Sequence, residues 1–92
     1  MGESVLPYGP RDAVVIDRPS RYAGLRVTAV AFAHRTPRIR AWLHTPGWER
    51  VVATATGGSA GEASVRAEDL VEAAQSRGVP VELPRLRRVR AA

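Results

Sequence analysis

Ninety-two residues with fourteen arginines, no lysine, nine carboxylates and a formal net charge of +5 describe one small basic domain. The absence of cysteine excludes a disulfide framework and a thiolate metal site. The longest apolar run, "VTAVAFA", falls far short of the roughly 20 residues that span a membrane, and the N-terminus lacks a signal-peptide pattern, so a cytoplasmic protein without a membrane partner is expected.

Residues 1–11 carry Gly2, Pro7, Gly9 and Pro10 with no periodic pattern and read as an N-terminal arm. "DAVVID" (12–17) is short and β-branched, and the turn chemistry of "RPSRYAG" ends it as a strand. "LRVTAVAFAH" (25–34) is a second strand whose middle is apolar on both faces, which predicts a central or strongly curved position. "RIRAWLHT" (38–45) alternates, with Ile39, Ala41 and Leu43 on one face and Arg38, Arg40, Trp42 and His44 on the other. "PGW" supplies a turn into "ERVVATAT" (49–56). Setting Thr45 opposite Glu49 pairs Leu43 with Val51, Ala41 with Ala53 and Ile39 with Ala55, assembling one apolar face. The opposite face then holds Arg40, Trp42, His44, Arg50, Val52 and Thr54.

"GGSAGE" (57–62) reads as a flexible connector, followed by a helix over about 65–77. Ala67, Leu70, Val71 and Ala74 make its apolar stripe, Ser64 is the expected N-cap, and Gly78 fits the left-handed position after its end. "VPVEL" (79–83) is a last extended segment, placed at an edge by Pro80, and residues 84–92 form a basic tail. Residues 12–83 thus make a single domain of order β-β-β-β-α-β, mainly β with one helix (α+β), as a small barrel or a strongly bent antiparallel sheet.

"DAVVIDRPSRYAGLRVTAV" resembles the opening of SH3-like small β-barrels, including the KOW type, in which a first strand leads through a glycine-containing loop, here Gly24, into a long bent strand. "VRAEDL" (65–70) is similar to the final strand and short helix of such barrels, so the resemblance spans about 12–71. The KOW pattern prefers a further glycine near Val27, which this chain lacks. The resemblance implies binding of nucleic acid or of protein segments.

Catalytic chemistry finds no constellation. His34 and His44 are the only histidines, and Ser20, Ser59 and Ser64 read as turn, linker and cap rather than as a nucleophile beside a base. The two histidines lack metal-ligand spacing, and "ATGGSAGE" lacks the Lys-Ser/Thr ending of a phosphate loop. A non-enzyme without cofactor or metal is expected. The helix carboxylates Glu68, Asp69 and Glu72 read as a solvated face that keeps nucleic acid off that side.

One surface remains. Arg38, Arg40, Trp42 and His44, with Arg50 opposite, set guanidinium groups beside an indole, the combination that holds phosphates and stacks bases in single-strand binding. Arg85, Arg87, Arg88 and Arg90 form an auxiliary basic arm. Two readings of Trp42 stand side by side: an exposed stacking platform, or an indole covered by the helix or the arm while its arginines merely solubilise. The expected function is a non-catalytic nucleic-acid-binding protein, monomeric or homodimeric. The alternative is a protein-interaction module that docks an acidic or extended partner.

Overall fold

A computed structural model describes residues 6–78 and the backbone of 87–88. The expected strand at 79–83 and the tail residues Arg85 and Arg90 lie outside the described residues. In chain order the elements are β1 (Ala13–Pro19), β2 (Tyr22–Ala23), β3 (Arg26–Ala31), β4 (Ile39–His44), β5 (Val51–Thr56), α1 (Ala60–Ser76) and β6 (Arg87–Arg88).

The fold is α+β. β1, β3, β4 and β5 form one antiparallel four-stranded sheet in that order, and α1 packs on one face of it. β2 is a short excursion between β1 and β3 that pairs with β6. The double-sided apolar character of β3 follows from its place. It is an interior strand, with Val27 and Ala29 against α1 and Val30 buried on the opposite face.

On the helix side, Val27, Ala29, Ala41 and Leu43 meet Ala63, Ala67 and Val71, with Ile16, Ile39, Ala53 and Ala55 at the margin. Small residues on both surfaces let the helix lie close to the sheet. Burying such side chains contributes about 25 cal/mol per Å² of apolar area removed from water.

Two sequence expectations are corrected here. The helix starts at Ala60, not near residue 65, because "GGSAGE" contains its cap and its first turn. Ser59 adopts extended backbone and its Oγ accepts from Glu62 N (3.1 Å), while Glu62 Oε1 accepts from Gly58 N (2.7 Å). These are the reciprocal bonds of a capping box, displaced by one residue on the acidic side. Ser64, expected to cap, is buried inside the helix and donates to Ala60 O (2.7 Å). At the other end Gly78 has φ +70, the left-handed conformation expected after a helix terminus.

The second correction concerns the β4–β5 register, which is shifted by two residues. Ala41 lies opposite Ala55 and Leu43 opposite Ala53. One residue of the shift comes from the loop. Thr45 N donates to Arg50 O (3.0 Å), so Pro46, Gly47, Trp48 and Glu49 all belong to the turn, with Trp48 at φ +63. The other comes from a bulge in β5, which sets His44 opposite Val51 and turns Val52 toward the helix-side core. An even shift leaves Ala53 and Ala55 on the helix side; only Val51 and Val52 change places.

Candidate nucleic-acid interface

The face of the sheet away from α1 is the surface on which the sequence places its cations and rings. It is a second interior. Val30, Phe32 and Trp42 are buried on it, with Tyr8 and Trp48 packed over them. Trp42 is 6% exposed and His44 2% exposed, so neither is a stacking platform, and the exposed reading of these two residues is corrected.

The cover has two sources. The N-terminal arm brings Tyr8 to 6.3 Å from the Trp42 ring, and Asp12 anchors that arm by accepting from Gly9 N (2.8 Å) and Ala33 N (3.0 Å). Those two backbone donors, Gly9 first, hold the Asp12 carboxyl below its usual range. The β4–β5 turn brings Trp48 back over the sheet. Its ring stacks on His44 at 3.5 Å and 9°, and stands edge-on to Trp42 and Tyr8 at 6.0 Å each.

His44 is satisfied at both nitrogens. Nδ1 donates to Thr45 O (2.7 Å), which leaves Nε2 to accept from the Thr28 hydroxyl (2.7 Å). Burial is the largest influence on its pKa and lowers it, ahead of the Thr45 carbonyl and the charges of Asp17 and Arg26. A neutral imidazole stacked under an indole is a packing element, with no vacant coordination site.

Arginines on the opposite side are consumed by the helix. Arg18 forms a two-pronged pair with Glu68 (2.7 and 3.2 Å), and Arg21 N donates to Glu68 Oε2 (2.7 Å). The Arg21 guanidinium also reaches Asp69 (2.9 Å) and Glu72 (3.6 Å). Glu68 is buried, contrary to the expected solvated face. Burial alone would push its pKa up, but Arg18 and the Arg21 N–H together outweigh it and hold the carboxylate below its ordinary value. Arg26 pairs with Asp17 (2.8 Å) and Arg66 with Glu62 (3.8 Å).

Three further arginines gather at one corner. Phe32 N donates to Arg38 O (2.6 Å), closing the β3–β4 connection and setting Arg35, Arg38 and Arg40 around the Phe32 end of the aromatic face. The Arg35 guanidinium sits 5.1 Å above the Phe32 ring. Arg40 lies in β4 and Arg38 immediately precedes that strand. Among the described residues neither has a carboxylate partner.

The expected five-residue platform therefore divides. Trp42 and His44 are interior, Arg38 and Arg40 belong to the corner, and Arg50 lies opposite Thr45 at the far end of the hairpin. Of the auxiliary arm, the backbone of Arg87 and Arg88 is tied to Ala23 and Tyr22 in the β2–β6 pairing. Arg35 was missed as a member of the site because it follows no strand alternation. Its signal was the phenyl ring that opens the same loop, Phe32, three residues before it. Among the described residues there is no cluster of three metal-ligating side chains, and no helix is long and apolar enough to cross a membrane. Comparison with protein-family models, curated proteins and solved structures returned no match.

Proposed function

We propose that the chain is a non-catalytic nucleic-acid-binding module that holds the phosphate backbone through the arginine corner Arg35, Arg38 and Arg40. The carrying observation is charge segregation. Arg18, Arg21, Arg26 and Arg66 are neutralised by carboxylates, whereas Arg38 and Arg40 are left unpaired among the described residues. Arg35, Arg38 and Arg40 then form a local cationic cluster on a chain of formal charge +5, which favours a polyanion through counterion release. The sequence resemblance to SH3-like barrels points to the same class of ligand. Binding is electrostatic, with little base readout, because the rings that stack on bases in other single-strand binders are interior here.

The test is anisotropy of a labelled single-stranded oligonucleotide across about 50 to 200 mM salt. Affinity should fall steeply, with the logarithmic slope decreasing by about 0.7 for each arginine removed in Arg38→Ser and Arg40→Ser. Absence of binding at low salt, or a slope that these substitutions leave unchanged, would end this reading. A specific observation favours protein docking as the second reading: among the described residues β5 pairs only with β4, and an apolar groove lies beside it.

A further inference from the structure

The arginine corner sits on an exposed loop and holds no ring on which a base could stack. Arg35 and Arg38 are exposed, and Arg40 lies opposite Val30 of β3, on the face away from α1. The ring at this site, Phe32, is 3% exposed, and the Arg35 guanidinium already occupies its face at 5.1 Å.

The chain's other rings are committed elsewhere. Tyr22 is buried, and its hydroxyl donates to Glu68 O (3.3 Å) on the helix side. Trp42 is interior. Tyr8 and Trp48 are half-buried and packed on Trp42, with one face of Trp48 stacked on His44. His44 is four residues along β4 from Arg40, about 13 Å, so the Trp48 ring stands well away from the corner.

We infer that the corner selects double-stranded over single-stranded nucleic acid. This rests on the phosphate-binding reading above and names the ligand class within it. Single strands are held through phosphate contacts and through base stacking, each stacked base adding roughly 5- to 150-fold in affinity. The corner supplies the first contribution and lacks the second. A duplex keeps its bases stacked on one another and offers phosphates at one charge per about 1.7 Å of axis. Each contact releases about 0.9 counterion from a duplex and about 0.7 from a single strand. Three arginine contacts therefore separate the logarithmic salt slopes by about 0.6, a duplex preference of about six-fold at about 50 mM salt. The charges around the corner agree with this approach. The carboxylates Glu62, Glu68, Asp69 and Glu72 belong to α1, behind the sheet. Asp12, near Arg35, is committed to Gly9 N and Ala33 N.

The experiment measures the anisotropy of three fluorescein-labelled DNA probes of equal length with the full chain, from about 50 to about 200 mM salt. The probes are a mixed-sequence duplex, one of its strands, and a strand of abasic tetrahydrofuran residues with the same phosphates. The duplex should bind about six-fold more tightly than its strand at the low-salt end, and the abasic strand should match the base-bearing one within about two-fold. Arg38→Ser combined with Arg40→Ser, its fold checked by circular dichroism, should lower the duplex slope by about 1.8 and the strand slope by about 1.4, shrinking the preference to about two-fold. A single strand bound as tightly as the duplex, or an abasic strand bound more than about ten-fold more weakly than the base-bearing one, would overturn the inference and leave the phosphate-binding reading standing. Binding of no probe at low salt would overturn both.

Discussion

The two faces of one sheet are covered by different chemistry. On the helix side, small aliphatic residues meet a regular helix, and a buried carboxylate, Glu68, is clamped by Arg18 and the Arg21 backbone. On the other side, an arm and a turn without regular structure seal an aromatic cluster around His44, which is neutral and bonded at both nitrogens. The first cover is built from backbone periodicity, the second from individual rings. The lesson is that the same strand alternation that assigns a residue to a face says nothing of what lies over it. Trp42 was placed on the correct face and is buried all the same.

Substitutions can break this comparison on either side. The largest effect is expected at Trp42→Ala. It removes the centre of the aromatic cluster and should cost about 3–5 kcal/mol in urea denaturation; a loss below about 1 kcal/mol would mean that the arm does not seal this face. Next is Glu68→Ala on the helix side, which leaves Arg18 and the Arg21 N–H without their acceptor. About 3 kcal/mol is expected, the low end for a broken buried pair, because Arg18 is itself 38% exposed. Ser59→Ala tests the corrected helix start and should cost about 1 kcal/mol, whereas Ser64→Ala, if Ser64 were the cap, would carry that signature instead.

The smallest effect distinguishes the faces by pH. His44 has a lowered folded pKa, so its neutral form contributes stability that is complete above about pH 6.5 and declines as pH falls through the folded value. Glu68 also has a lowered folded pKa, so its contribution is present above the ordinary glutamate range and is lost only at more acid pH. Thermal melts should therefore show two separate declines on acidification. His44→Gln should remove the upper one and Glu68→Gln the lower; coincidence of the two would contradict the separate assignments.

Much of the architecture was legible because it rests on local rules. Alternation found β4, the double-sided apolar run placed β3 inside the sheet, and Gly78 marked the helix end. The helix start was hidden because Gly57, Gly58 and Gly61 surround a Ser-x-x-Glu cap whose bonds outweigh the glycine preference for loops. The register was offset because Glu49 joined the turn and a bulge followed it, neither of which leaves a residue-type signal. The candidate site was half legible. Arg38 and Arg40 could be paired by alternation, but the neutralisation of Arg18 and Arg21 depends on a carboxylate about fifty positions away in sequence, which no local pattern reveals.

The most direct measurement uses the Trp48→Phe variant, in which Trp42 is the remaining indole of the two, titrated with oligonucleotide and with iodide. Oligonucleotide association, read by the anisotropy of its own label, should leave Trp42 emission unchanged, and iodide should scarcely reach the ring. Emission quenched in proportion to bound bases would show that the aromatic face opens to a ligand, and the division between a sealed interior and an arginine corner would fail.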